Sequence, residues 1–543
     1  MIRTPFVRRM LLAFLAMAAA ASNSARGQWS SDPANNLTLA DRTNEQVQPK
    51  IRAASGGGCY VSWYDNSTGG YDVYLQRLDG HGYELWLHNG ILIADRGLSS
   101  TVDYGLAVDA GDNAIIAFTD DRFGERVTVQ KVSPSGSLLW NGSSGVALSP
   151  AGVGVSPPQV AVLSDGNYAV VWNNTSEPTG TLIQKLSPGG VPLFPGNGIL
   201  QNDTLSPQQS LMASDVRAGD NGSIIVLFVR FTMSSRQLYT QKYSASGAAQ
   251  WNGGAPKLVM GSGSSIQFGY FPTFLPDGAG GAVYGWYETS TPRNACIQHV
   301  LSSGALKFAA PISNVGSTHP SSRIRVGAGL AYNQASGEYF LASPETDGST
   351  QSQNSVMVQR FSSTGTRLWG DNGVTLLATT TSTQPSFVQA QVMGDGASVF
   401  WLQTVGTSGG VVKGARVGAN QAIAWSEFLA SDGSTDKSRL DSALSSCGFA
   451  MVAYGNGATG VMDIQAQNVQ PNGTLGNVTV AGDMNCDGTI NLQDIRPFVT
   501  ALINPAGYSQ QYPCCNAANA DVNQDSFIDG LDVQPFVDLL LGR

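Results

Sequence analysis

Charge is scarce in this chain. Only 13% of its 543 residues are Asp, Glu, Lys or Arg. No basic cluster stands among them, so the electrostatic footprint of nucleic-acid binding is missing. Histidine is scarcer still: His81, His88, His299 and His319 are the four, and they form no metal-ligating spacing. The six cysteines (Cys59, Cys296, Cys447, Cys486, Cys514 and Cys515) include no C-x-x-C pair, which argues against zinc. Beyond the N-terminus no apolar run approaches the ~20 residues of a membrane-spanning helix. There is no nucleophile elbow, phosphate-binding loop or dinucleotide fingerprint. No long stretch has helical period.

What is present begins with an export signal. Arg3, Arg8 and Arg9 precede the apolar run LLAFLAMAAAA, and Ala25-Arg26-Gly27 offers a small-x-small cleavage site. Residues 1–27 are therefore expected to be removed, giving a secreted, extracellular or surface-associated protein that starts at Gln28. An oxidising location permits disulfides.

Residues 28–480 read as one repeating object. A Gln ending a short β-like run is followed six residues later by Gly in seven places: Gln76/Gly82, Gln130/Gly136, Gln184/Gly190, Gln241/Gly247, Gln298/Gly304, Gln359/Gly365 and Gln467/Gly473. Four residues after Gly comes Trp86, Trp140, Phe194, Trp251, Phe308 or Trp369 in six of them. Successive Gln residues stand 54, 54, 57, 57 and 61 apart, and the last interval is 108, twice 54. A worn copy, VVKGARVGANQAIAW at 411–425, fills that gap and makes eight units. Each unit alternates polar and apolar residues in four short runs rich in β-branched and aromatic types, separated by Gly, Asn, Asp and Ser. Eight such units predict an all-β, eight-bladed β-propeller with four-stranded blades. The eighth copy lacks a fourth strand. The N-terminal NLTLAD (36–41) resembles NGILIAD (89–95) of the first copy, so it is predicted to close the last blade.

In an up-and-down blade, the first and third turns share one face, and the second turn and the inter-blade link share the other. The third turns are uniform (LDGHG, SPSG, SPGG, SASG, SSTG), whereas the second are long and all different. Diverse loops on a rigid scaffold are where binding sits. Asp65, Asp120, Asp121, Glu288, Glu345 and Asp347 gather at those variable turns, and paired carboxylates there would suit glycoside chemistry. The repeated Gln is expected to bond strand backbone between blades, and the repeated Trp to pack blade against blade. LDGHGYELW and FSSTGTRLW are similar to the tryptophan-docking repeats of quinoprotein dehydrogenases. The adjacent cysteines those enzymes often carry near the cofactor are here in the tail, which argues against a quinone.

The last residues, 481–543, carry a twelve-residue pattern twice, 38 residues apart. Oxygen side chains occupy positions 1, 3, 5, 9 and 12: Asp483, Asn485, Asp487, Asn491 and Asp494, then Asp521, Asn523, Asp525, Asp529 and Asp532. Thr489 and Phe527 stand at position 7, where a backbone carbonyl serves. This spacing wraps a hard cation in oxygen and predicts two bound calcium ions. Position 6, a sharp turn, is Gly488 in the first loop and Ser526 in the second, so the second loop is expected to be strained. A helix follows each loop, LQDIRPFVTALI and LDVQPFVDLLLG, with Pro497 and Pro535 near the first turn, where the missing N–H matters least. The tail holds eight Asp, no Glu and two Arg, a net charge of −8 + 2 = −6 out of −9. Its folding is expected to depend on the cation. A bridge joining Cys486 to Cys514 or Cys515 is consistent with the sequence, which does not choose the pairing.

A duplicated loop–helix of this kind resembles the dockerin family, type I in particular. The resemblance implies a calcium-folded α-helical module that docks a cohesin-like partner and attaches its host to an assembly or surface. Positions 10 and 11, which read the partner in that family and are often small and hydroxylated, are here Leu492 and Gln493, then Gly530 and Leu531.

Two functions fit. One is a secreted, monomeric binding or display protein, moored by its tail and serving polysaccharide breakdown. The alternative is a carbohydrate-active enzyme, a glycoside hydrolase or polysaccharide lyase, with its active site on the variable-loop face.

Overall fold

Eight antiparallel sheets follow one another along the chain, and the first strand of each packs against its neighbours' first strands around a common centre. They belong to a computed structural model that describes residues 28–543 except 177–178, 205–208, 290–292, 405–408 and 478. The export signal expected at 1–27 lies outside the described residues. Blade one is Gln46–Ala53, Cys59–Asp65, Asp72–Leu78 and Ile91–Ala94. Blades two to seven occupy 105–147, 159–201, 210–258, 274–313, 323–380 and 385–430. Blade eight takes Lys437–Leu444, Ala450–Asn456 and Asp463–Val469 from the end of the ring and Leu37–Ala40 from its beginning. Leu37 lies opposite Ala466 and Thr38 opposite Gln465, so the N-terminal strand closes the ring as expected. The eight-bladed propeller is what the repeat predicts, and the worn copy supplies the third and fourth strands of blade seven, Gly410–Val417 and Ile423–Ala430.

The core lies between blades, because each sheet is apolar on both faces. Strands such as Cys59–Asp65 and Ala114–Asp120 are buried throughout. The repeated aromatic is the plug between neighbours. Trp140 of blade two donates its indole N–H to Pro188 O of blade three (3.3 Å), and its ring lies against Gly190. A Cβ at Gly190 would come 2.9 Å from that ring, and the turn needs φ = +80° there, so two constraints select glycine. Gln421 fills the same place in the worn copy at φ = +69°.

The repeated Gln works differently from expectation. Gln130 Oε1 accepts from Lys131 N (3.0 Å) and Trp140 N (3.1 Å), while its Nε2 donates to Trp140 O (3.1 Å) and Gly142 O (2.6 Å). The amide thus bonds backbone within its own blade, not between blades. It fixes the segment that carries the aromatic, and the aromatic makes the crossing. The eighth aromatic, absent after Gly473, is supplied from the other chain end. Trp29 lies against Gly82 and donates to Gly80 O (3.0 Å), as Trp140 does on the next blade.

The tail packs around Met484, Phe498, Tyr508, Ala520 and Phe536, with Phe498 and Phe536 stacked at 4.0 Å. Its helices are α1 (Ile495–Ile503), α2 (Pro505–Gln511) and α3 (Val533–Leu540). α1 and α3 are the two the loops predict, each entered through a 3-10 turn, and α2 lies between them. Cys486 bonds Cys515, joining the two halves of the tail, and Cys447 of blade eight bonds Cys514. Cys447 stands in a first turn. The tail therefore sits under the uniform face, over the seam between blades eight and one. There Pro513 meets Gly56, and Asn477 Nδ2 donates to His81 O (3.0 Å).

Candidate functional site

Most of the carboxylates expected at the variable face are anchors for its turns. Asp65 is buried beside Arg42 (3.6 Å) and accepts from Ser67 N. Asp120 takes Arg122 with both oxygens (2.9 Å each) and Thr128 Oγ1 (2.8 Å). Asp121 accepts from Gly97 N of the inter-blade link (3.0 Å). Asp347 gathers the N–H groups of Thr350, Gln351, Ser352 and Gln353 and the hydroxyls of Ser349 and Thr350, and this hydrogen bonding drives its pKa far down. Trp286 Nε1 donates to Glu288 (3.3 Å).

Glu345 is different. The inner strand of blade six is broken, so that Arg323–Arg325 pairs with the variable-face end of Glu338–Asp347, and Arg325 lies directly opposite Glu345. Arg325 Nε stands 3.0 Å from Glu345 Oε1 and Arg323 Nη2 3.9 Å from Oε2. The incoming link brings His319, whose Nε2 is 2.9 Å from Oε1, and the next strand brings Ser355, whose hydroxyl donates to Oε2 (3.3 Å). Asn372 Oδ1 meets the other ring nitrogen of His319 at 3.1 Å. The His319 and Arg325 contacts are close in distance but lie off the hydrogen-bond direction. Glu345 Oε1 and Arg325 Nη2 are consequently buried without an aligned partner. Burial pushes the Glu345 carboxyl up, but His319 and Arg325 outweigh it and hold it below the usual range, so it is ionised at neutral pH. Burial lowers Arg325 against the pull of the same carboxylate. Arg325 is buried and also donates to Asn294 Oδ1 (3.0 Å), and Arg323, which keeps some exposure, donates to Ser355 Oγ (2.6 Å). An ionised carboxylate touching an imidazole can relay a proton. The sequence offered Glu345 only as one turn acid among six. His319, 26 residues away, and the arginines of a broken strand carry no spacing signal.

Aromatic side chains share this face. Phe123 of a second turn, Phe268 and Phe271 of a link, and Phe387 at the entry of an inner strand are exposed, and Arg236 lies over Phe268 at 4.9 Å.

In the tail the two loops repeat one hydrogen-bond pattern. Asp494 Oδ1 accepts from Met484 N (2.7 Å) and Asn485 N (3.0 Å), and Asp532 Oδ1 from Val522 N (2.8 Å) and Asn523 N (3.1 Å). Asn491 with Asp494, and Asp529 with Asp532, form capping boxes for the turns that lead into α1 and α3. Asn485 and Asn523 accept from Asp487 N and Asp525 N (3.0 Å each), whose carboxylates accept from Thr489 N and Phe527 N (2.9 Å each). Position 6 has φ = +84° at Gly488 and +72° at Ser526, so the serine adopts the backbone that favours glycine. The loops part at position 1. Both oxygens of Asp521 accept backbone N–H groups, from Asp525 (3.1 Å) and Ser526 (2.9 Å). Asp483 uses only Oδ2, toward Gly488 N (3.1 Å), and its buried Oδ1 has no partner. Asp483 borders a cavity of about 270 Å³ between the tail and the propeller. The first loop thus keeps one buried carboxylate oxygen without a hydrogen bond, which the second loop does not. Among the described residues no three His, Cys, Asp or Glu side chains gather closely enough to chelate a metal. Among them also, no helix is long and apolar enough to cross a membrane.

No family model and no curated protein matches the chain. Among solved structures it is similar to the polysaccharide lyase Uly1, at 11% identity over 83% of this chain and 94% of that one, with a TM-score of 0.39. It is similar to a PL25 ulvan lyase bound to -[GlcA(1-4)Rha3S]-, at 10% identity over 81% and 97%, with a TM-score of 0.40. It is also similar to the β-propeller domain of the Trilobed protease from Pyrococcus furiosus, at 8% identity over 72% and 99%, with a TM-score of 0.38.

Proposed function

We propose that the chain is a carbohydrate-active enzyme that works on an acidic polysaccharide at its variable face. The observation that carries this reading is the meeting of Glu345, His319, Arg323 and Arg325 there. Glu345 serves as the base, held ionised by His319 and the buried Arg325, and the partly exposed Arg323 guanidinium meets a uronate or sulfate on the sugar. The exposed phenyl rings of the same face supply flat surfaces for sugar rings. Two proteins similar in structure are named as polysaccharide lyases, and this selects the first substrates for assay and nothing more. The test is a glycan array with the full chain, followed by assay of new chain ends on whatever binds. Glu345→Gln is expected to retain binding and to lose about 10²–10⁴-fold in turnover, the usual worth of a general base. Binding with no turnover by the parent protein would sink the enzyme reading and leave a display protein.

A second reading concerns the tail, and the unpartnered Oδ1 of Asp483 within a duplicated loop favours it. In this reading the tail is a dockerin-like module that holds calcium through the side chains of Asp483, Asn485, Asp487, Asn491 and Asp494, with Asp521, Asn523, Asp525, Asp529 and Asp532 as a second set. The position-7 carbonyls of Thr489 and Phe527 complete them. A bound cation would offset the tail's charge of −6. The module would moor an exported protein to a cohesin-like partner. Chelator titration followed by circular dichroism and calorimetric calcium titration is the test; helicity indifferent to chelation, with no calcium heat, would remove this reading.

A further inference from the structure

We propose a second subsite for acidic sugar units on the variable face, where the inner strands of blades seven, eight and one enter the ring. Phe387 gives it a flat surface for a sugar ring, and Arg439 a cation for the carboxylate or sulfate. The proposal rests on the reading that this face engages an acidic polysaccharide, and it names where units beyond the Glu345 cluster are held. Among the described residues, only three non-glycine residues within strands have positive φ: Gln48 (+55°), Phe387 (+51°) and Arg439 (+55°). Each is the third residue of an inner strand, Gln46–Ala53, Pro385–Met393 or Lys437–Leu444. In each strand a bulge breaks the register around that residue, between Val47 and Lys50, Ser386 and Gln389, and Ser438 and Asp441. The three positions are therefore equivalent and lie in consecutive blades. Left-handed backbone is unfavourable for side chains of this size, and a bulge re-aims the residue it carries. The ring does not demand the device, since blades two, three and five keep an unbroken register. Blade four has a simpler bulge without positive φ, and there Ser214 is buried and donates to Pro272 O (2.6 Å).

In blades seven and eight the re-aimed side chains are exposed instead. Phe387 is 43% exposed, and the Arg439 guanidinium lies over its ring at 5.8 Å. Asp441, two residues on, is spent on Arg52 (2.8 Å), and among the described residues no carboxylate is in ion-pair range of Arg439. A phenyl face beside a guanidinium with charge to spare suits a ring that carries an anion. Gln48 Nε2 is already bound to Thr101 Oγ1 (2.7 Å), so the pair Phe387 and Arg439 carries the proposal. Arg323 begins the inner strand of blade six, the blade immediately before, so a chain held at Glu345 meets Phe387 next and Arg439 after it. The segments that lead into the three bulged strands, 41–45, 381–384 and 431–436, are all described, and the undescribed tip of blade seven, 405–408, holds no charged residue.

The experiment uses the full chain, a ladder of oligouronates from short to long, and the variants Phe387→Gly and Arg439→Gly. Glycine suits the positive φ at both positions, so each variant removes a side chain and relaxes its strand. Calorimetric titration should show the longer oligomers bound about five- to thirty-fold more weakly by either variant, with the loss growing with oligomer length. Arg439→Gly should also flatten the salt dependence of binding, and its thermal midpoint should be kept or raised. Phe387→Leu keeps the apolar bulk and loses the ring face; it should weaken the same oligomers and covers the case in which Phe387→Gly fails to fold. If the variants bind every oligomer as the parent does, or if Arg439→Gly loses stability and keeps its affinity, the subsite falls. Turnover by the parent with binding indifferent to these variants would remove this subsite and leave the Glu345 reading. Binding that the variants weaken, with no turnover by the parent, would keep this subsite and remove the enzyme reading.

Discussion

Replacing Trp29 by alanine should open the ring. Trp29 is 1% exposed, and it belongs to a core that joins Leu37 and Leu39 of the closing strand to Trp63 of blade one and Met451 of blade eight. Truncating a buried tryptophan costs about 3–5 kcal/mol in lost transfer and cavity terms. The indole also donates to Gly80 O (3.0 Å), a bond worth about 1 kcal/mol. Relaxation limits the loss, because Trp29 lies near a chain end. The segment behind it is held by Gln467 Nε2 to Ser30 O (2.9 Å), Ser431 N to Pro33 O (2.8 Å) and Asn36 Nδ2 to Leu429 O (2.6 Å). These bonds reach blades seven and eight and do not depend on the indole, so we expect a net loss of about 3–4 kcal/mol. Urea unfolding measures it, with Trp251→Ala, the same plug inside the ring, as the comparison. Limited proteolysis should then cut within 28–36 in Trp29→Ala and not in Trp251→Ala. A loss below about 1 kcal/mol for Trp29 beside a full loss for Trp251 would refute the reasoning. Closure would then rest on strand pairing alone.

Replacing Cys447 and Cys514 together by serine removes a bridge between residues 67 apart. The chain-entropy account gives it a ceiling of about 4 kcal/mol, and proteolysis between 470 and 480 should rise; an unchanged digestion pattern would show that the bridge does not hold the tail. Gln421→Gly relieves a left-handed backbone at a site where the other blades use glycine, and should stabilise by about 0.5–1 kcal/mol in urea unfolding; destabilisation would contradict it. Asp463 has its carboxyl pushed up to about 6, by burial first and then by the charge of Asp41. The folded state therefore binds its proton more tightly than the unfolded state, so stability is present below about pH 4 and is lost as pH rises through 6. After discounting for partial exposure the change is about 1 kcal/mol. Asp463→Asn should flatten that part of the stability–pH profile, and an unaltered slope would assign it elsewhere.

The ring was legible because one local device recurs. The Gln amide must reach the backbone of Trp140 or its counterpart ten residues on, and the turn between needs a positive φ, so the six-residue gap cannot drift. Where the device is worn the signal fails: Ala415 and Gln421 stand where Gln and Gly stand elsewhere, although Trp425 still donates its indole N–H to Pro471 O (3.1 Å). Trp29 was not legible as the eighth plug, since its role is fixed by residues at the far end of the chain. The Glu345 cluster was half legible for the same reason. A turn acid shows in sequence, but the broken strand that puts two arginines opposite it does not. In the tail the frame of oxygens was plain, yet sequence does not show that the position-9 and position-12 side chains also cap helices, a second physical reason for the same residue types.

The two ends of this architecture face apart. Cys447 lies in a first turn, and the tail rests on Gly56 and the His81 carbonyl, in the first and third turns of blade one. Glu345 lies at a second turn, on the opposite side of every four-stranded meander. The seam plugged by Trp29 is also the seam beneath which the tail is bonded, so the ordering of the tail and the closure of the ring are mechanically joined. Whatever the tail holds is thereby placed below the ring, on the side away from the variable turns.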